Sequence, residues 1–234
     1  MKVSAIIPAY NEEKTIKNVL AVLASFSLLD EIIVVDDGST DQTAKVVRKN
    51  FPQVKLITLP KNKGKADALI TGAKTAKYPV LFFCDADLIN LRHSHLKVLI
   101  KPVLNGKMRM MVGAQENMAT WKENRAEAYK GGMGEFIKGL GGEKVLLKKD
   151  FFKIPGLSGS NYGIEHLIIN YFKEKKLPFN YYVLKGTYHV LKIKKWGIVK
   201  GSLKELESYI TFGRQWLKRT ISRLPQDNFS LFGS

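Results

Sequence analysis

Four short apolar runs in the first third of the chain constrain its fold more than any other feature. "VSAII" (3–7), "EIIVV" (31–35), "VKLITL" (54–59) and "VLFFC" (80–84) are rich in β-branched and aromatic residues and do not alternate with polar ones. Strands buried on both faces read this way. Between the first two runs, Ile16, Val19, Leu20 and Leu23 keep helical spacing. After the second, Ser39 and Gln42 have the spacing of a capping box, which predicts a helix running to about Lys49. A third helix is predicted over 65–77. Strands and helices that alternate with such short connections imply right-handed βαβ units and an α/β fold, a parallel sheet flanked by helices.

Beyond residue 90 the pattern is less regular. Residues 93–104, 123–138 and 162–172 read as helices, 108–115 and 143–149 as strands, and 179–193 as one or two strands. Glycines at 131, 132, 134, 139, 141 and 142 mark either a mobile loop beside a site or a plain surface turn. Leu203, Leu206, Tyr209, Ile210, Gly213, Trp216, Leu217, Ile221 and Leu224 share one face of a predicted helix, with Lys204, Arg214, Lys218, Arg219 and Arg223 off it. Such a C-terminal amphipathic helix either docks on the body of the protein or lies in a membrane interface. No repeat or low-complexity linker divides the chain, so one domain over 1–200 and a helix with a tail over 201–234 are expected.

Charge adds a constraint on partners. Of a net +17, residues 1–90 contribute little, with 12 Lys/Arg against 10 Asp/Glu, whereas residues 91–234 carry 26 against 11. A surplus this lopsided suits a solvated lysine-rich surface or an anionic partner such as a phosphorylated molecule or a membrane face. The single cysteine, Cys84, excludes an internal disulfide and a cysteine zinc site, and fits a reducing cytoplasm. No run of eighteen apolar residues is present, and "MKVSAIIPAY" is too short and too soon polar for a secretory signal.

In parallel α/β sheets ligands bind outside the carboxyl ends of the strands. Here those ends hand over to "PAYNEE" (8–13), "DDGSTD" (36–41), "PKNKGKADA" (60–68) and "DAD" (85–87). Asp36 or Asp37 can accept a hydrogen bond from a nucleobase N–H, and Lys65 suits a phosphate or a base edge. Asp85 and Asp87, at the tip of a buried strand, need a positive partner. A hard divalent cation such as Mg²⁺ or Mn²⁺, shared with a diphosphate, is that partner's natural chemistry.

As a set, "IIPAYNEEKTI", "IIVVDDGSTD", "NKGKADAL" and "CDAD" resemble the ordered motifs of family-2 glycosyltransferases with the GT-A fold. The resemblance implies a GT-A (Rossmann-like), mostly parallel sheet flanked by helices, a nucleotide-diphosphate-sugar donor of the UDP or GDP class, and an acceptor held by residues 91–200. It implies donor contacts from Pro8, Ala9, Tyr10, Asn11, Glu12, Asp36, Asp37, Gly38, Lys65, Asp85 and Ala86. It places Asp85 toward the ribose or sugar and Asp87 on the metal, where it takes part in catalysis. "SGSNYGIEHLI" (158–168) is similar to the segment of polyprenyl-phosphate and phosphoglycerate sugar transferases that presents an acid near the acceptor, pointing to Glu165 as base or positioning group. "TYHVLKIKKWG" (187–197) resembles the region carrying a further metal ligand, pointing to His189, with Lys192, Lys194 and Lys195 placed to hold a departing diphosphate.

Rival readings lack their signatures. The "GxGTRxxP"-type loop of sugar nucleotidyltransferases is replaced by "PAYNEE", no G-x-G-x-x-G follows an early strand, and no aromatic–basic RNA motif occurs, so no nucleic acid is expected. The Q-x-x-R-W motif of processive synthases is also absent. A non-catalytic nucleotide-sugar-binding protein remains the alternative. The expected acceptor is lipid-linked or phosphorylated, met at the cytoplasmic membrane face.

Overall fold

The computed structural model describes residues 1–115, 141–160 and 163–189, which fall within one compact unit, Met1–Val190. The segments 123–138 and 203–224, four of the glycines (131, 132, 134 and 139) and Lys192, Lys194 and Lys195 lie outside the described residues. In chain order the elements are β1 (Val3–Ala9), α1 (Ile16–Ala24), β2 (Glu31–Asp36), α2 (Thr43–Asn50), β3 (Lys55–Thr58), α3 (Lys65–Thr75), β4 (Val80–Phe83), β5 (Leu88–Ile89) and α4 (His93–Leu104). There follow β6 (Met110–Gln115), β7 (Glu143–Leu147), α5 (Lys148–Phe151), α6 (Ile164–Glu174), β8 (Phe179–Leu184) and β9 (Tyr188–His189).

The described strands form a seven-stranded sheet in the order β3-β2-β1-β4-β7-β6-β8, with β5 and β9 as a separate pair. Both faces are covered, which explains the unbroken apolar runs. Val3, Ala5 and Ile7 of β1 and Val80 and Phe82 of β4 pack with Ile16, Val19, Leu20 and Leu23 of α1 and Leu96, Leu99 and Val103 of α4. The alternate residues Ile6, Leu81 and Phe83 pack on the other side with Ala66, Leu69 and Ala73 of α3 and Ile164, Ile168 and Phe172 of α6.

Two expectations need correction. β3 is an edge strand with a half-exposed surface, so its apolar run does not mark burial on both faces. The Ser39–Gln42 capping box does not form. The Ser39 hydroxyl accepts from the Asn11 amide at 2.9 Å, and α2 begins at Thr43 with Gln42 at its N-cap and no side-chain cap bond. A tertiary donor has won the hydroxyl from the local one. The sheet is mostly parallel, as the resemblance implies: β7 runs antiparallel to both β4 and β6, while β6 and β8 are parallel.

The reversal of β7 matters for the site. It places the first residue of β7 at the same rim as the last residues of β1, β2, β4, β6 and β8. Phe82 lies under that rim with no exposed surface. Phe82→Ala should destabilise the fold by about 3–5 kcal/mol, read from the midpoint of urea denaturation.

Candidate active site

The rim begins with three loops stitched to one another. Asn11, which follows β1 in the left-handed region (φ 57°), accepts from the Thr40 amide at 2.8 Å. Glu12 donates its amide to the Thr43 hydroxyl. Asp36 accepts from the Ser39 amide, and Asp37 accepts from the amides of Lys63 and Gly64, both at 2.8 Å. Gly38 follows them at φ 70°, where a Cβ would overlap the Lys61 backbone. Pro8 and Ala9 close β1 beside this knot, with Tyr10 half-buried after them. Asp36 and Asp37 are therefore buried and bonded to loop amides in this conformation.

Asp85 and Asp87 flank the buried Ala86 just past β4. Asp85 Oδ1 lies 2.7 Å from Lys65 Nζ, and the same ammonium lies 2.8 Å from Glu165 Oε1. Lys65 opens α3 and Glu165 sits in the first turn of α6, so two helices from one face of the sheet meet the strand tip through a single cation. Burial opposes the charge on Lys65, but the Asp85 and Glu165 carboxylates overcome it and hold the pKa well above the ordinary lysine value. Burial likewise works against ionised Asp85, and Lys65 foremost, with His189, outweighs it and pulls the carboxyl down.

His189 reaches the site through the small β5–β9 ladder, in which it pairs with Leu88. Its Nε2 stands 3.6 Å from Asp85, 3.8 Å from Asp87 and 3.5 Å from Glu143. The Gln115 amide nitrogen lies 2.9 and 3.0 Å from the two ring nitrogens. Burial disfavours a charged ring, yet Glu143, Asp87 and Asp85 together raise its pKa to about 9.

Glu143, Lys144 and Gln115 belong to this cluster and were not singled out from sequence. Glu143 is fully buried, and neither carboxylate oxygen makes a hydrogen bond. Lys144, also buried, donates to the Gly141 carbonyl, and desolvation lowers its pKa to about 8. Gly142 packs against the Asp85 carboxylate so closely that a Cβ would overlap it, and Gly141 does the same to the Gly113 carbonyl. These two glycines are a close-packed approach rather than a slack loop. Finding Glu143 required the direction of β7, which "EKVLLKK" does not disclose.

One donor atom each from Asp85, Glu143 and His189 lie within 4.8 Å of one another. Carboxylates and an imidazole, one of them a buried carboxylate without a hydrogen bond, fit a divalent cation. Asp87 stands at the edge of this set through His189.

The family model of Glycosyl transferase family 2 matches residues 4–169. The chain belongs to that family. Curated relatives of this family-2 chain include a 4,4'-diaponeurosporenoate glycosyltransferase from Staphylococcus haemolyticus, 34% identical over 125 residues (51% of this chain, 33% of the relative). Glucosyl-3-phosphoglycerate synthase from Mycobacterium tuberculosis is 34% identical over 117 residues, covering 45% of this chain and 35% of its own. Human dolichyl-phosphate beta-glucosyltransferase is 35% identical over 100 residues, 37% of this chain and 31% of its own. The matches thus span about a third of each relative's length. Among solved structures, the mycobacterial synthase with Mn²⁺, UDP-glucose and phosphoglyceric acid superposes with a TM-score of 0.66 at 24% identity, covering 81% of this chain and 71% of that one. That likeness bears out the fold expected from the motifs.

Because Lys65 forms ion pairs with both Asp85 and Glu165, Lys65→Met should leave two poorly solvated carboxylates and destabilise the metal-free protein by about 3–5 kcal/mol. Urea denaturation at neutral pH, compared with wild type, measures this directly.

Proposed function

We propose that this family-2 chain transfers a sugar from a nucleotide-diphosphate sugar to a lipid-linked or phosphorylated acceptor, with a divalent cation at its D-x-D. The observation that carries the reading is the convergence of Asp85, Asp87 and His189 with Lys65 and Glu165 on one rim. Pro8, Ala9, Tyr10, Asn11, Glu12, Asp36, Asp37, Gly38, Lys65, Asp85 and Ala86 would surround the donor. Of UDP and GDP, UDP is favoured, since the mycobacterial synthase was solved with UDP-glucose. That protein's phosphoglyceric acid and the dolichyl phosphate in the human relative's name favour an acceptor bearing phosphate.

Asp87 and His189 would hold Mg²⁺ or Mn²⁺ with Asp85 beside them, and the ion would supply positive charge next to the diphosphate. The remaining work falls to the chain. The acceptor oxygen forms a bond to the anomeric carbon as the bond from that carbon to the phosphate oxygen breaks, and the nucleoside diphosphate leaves with the electron pair. Lys65 offers an ammonium where that charge develops, which favours the transition state over the bound substrate. Glu165, oriented by its bond to Lys65, takes the proton from a hydroxyl acceptor; an ionised phosphate acceptor needs only positioning.

The test is thermal denaturation against a panel of UDP- and GDP-sugars, with and without Mn²⁺, for wild type and Asp87→Ala. One nucleotide class should stabilise the wild type only with metal, by about 2.7 kcal/mol at a hundredfold excess over Kd, and the variant should show no such gain. No gain with any nucleotide would overturn the reading.

The acceptor's location rests on charge. Among the described residues no helix is long and apolar enough to cross a membrane, and residues 91–234 hold most of the +17. We place the protein in the cytoplasm, bound peripherally to the anionic inner membrane face. It should co-sediment with vesicles rich in phosphatidylserine at low salt and be released as the Debye length falls to about 3 Å at 1 M salt. Failure to co-sediment at low salt would remove the membrane from the proposal.

A further inference from the structure

Glu143 is the anomaly of the rim. A buried carboxylate without a partner costs several kcal/mol, so native structures seldom keep one without a compensating positive charge. Glu143 has no exposed surface, and neither of its oxygens makes a hydrogen bond. The ammonium nearest in sequence acts on it only at longer range, because Lys144 donates its hydrogen bond to the Gly141 carbonyl. Lys65 is committed to Asp85 and Glu165. What faces Glu143 is Nε2 of His189 at 3.5 Å, the nitrogen that also faces Asp85 and Asp87. Three carboxylates, two from the turn after β4 and one from β7, thus aim at one small region.

Taking the metal-dependent reading above as given, we infer that Glu143 supplies a carboxylate oxygen to the divalent cation, in one ligand set with Asp85 and His189. Their donor atoms already lie within 4.8 Å of one another. Ligands on opposite sides of Mg²⁺ stand about 4.2 Å apart for bonds of about 2.1 Å, so the side chains need to close in by only a fraction of an ångström to form a coordination shell. Glu143 is also rigidly placed. It opens β7, where it pairs with Gly113 of β6, and the next residue, Lys144, pairs with Phe83 of β4. A ligand on a central strand, rather than on a loop, keeps its position before the ion arrives.

The role has a signature that a structural residue lacks. Glu143, Asp85 and Asp87 crowd around the one His189 imidazole, so the metal-free cluster holds an excess of buried negative charge that a cation relieves. Replacing Glu143 by the isosteric amide should therefore leave the metal-free protein as stable as wild type or more so, while weakening the metal. The experiment titrates the full chain with Mn²⁺, follows loss of the free-ion EPR signal, and records metal-free melting temperatures for wild type, Glu143→Gln, Glu143→Ala and Asp87→Asn.

Glu143→Gln is expected to weaken Mn²⁺ binding about 10- to 100-fold with an unchanged or higher metal-free melting temperature, and Glu143→Ala to weaken it at least as much. Affinity within twofold of wild type in both Glu143 variants, while Asp87→Asn loses the ion, would overturn the inference and leave the proposed function standing. A fall in both melting temperature and affinity for Glu143→Gln would assign Glu143 to the fold and overturn the inference too. A wild type that takes up no Mn²⁺ would overturn the metal-dependent reading together with it.

Discussion

The buried ammonium of Lys65 is the interaction on which the rest of the rim depends. It satisfies Asp85 from the strand that carries the D-x-D and Glu165 from a helix late in the chain. Without it, two carboxylates with little solvent would face each other, and the N-termini of α3 and α6 would lose the link that joins them to β4. The geometry has a chemical consequence as well. Under the proposed function, this one side chain would register the acid assigned to the donor, Asp85, against the acid assigned to the acceptor, Glu165.

Around that bridge, charge is concentrated rather than avoided. His189 is drawn toward protonation by three carboxylates, and Lys144 is pushed toward neutrality by burial, within one small region. Active sites collect such opposed shifts because reacting groups need environments that water would level. The scaffold tolerates the concentration because both sheet faces beneath it are packed with apolar side chains. Phe82 and Phe83, just before the acidic turn, anchor opposite faces.

The reversal of β7 is the topological device that completes the site. A wholly parallel sheet would have put the first residue of that strand at the far edge. Running backwards between β4 and β6, it delivers Glu143 beside Asp85 while β6 delivers Gln115 and the β5–β9 ladder delivers His189. Gly142 permits this crowding, since any side chain there would occupy the place of the Asp85 carboxylate.

Local pattern alone determined much of this protein. The unbroken runs of β1, β2 and β4, the helical spacing of α1, and the polar turns after each strand specify a doubly covered sheet with a ligand rim, because burial and turn chemistry act over a few residues. The same runs and turns carried the family resemblance, and with it Asp85, Asp87, Lys65, Glu165 and His189 as candidates. Only the tertiary structure decided which partner each polar group would take. Ser39 looked like a helix cap, but Asn11 holds its hydroxyl. β3 looked buried, but no strand or helix closes its outer side among the described residues. Glu143 looked like the polar end of a strand until the direction of β7 turned it inward. In each case the outcome depended on a competition between near and distant partners, and the energies of distant partners are written in space rather than in spacing.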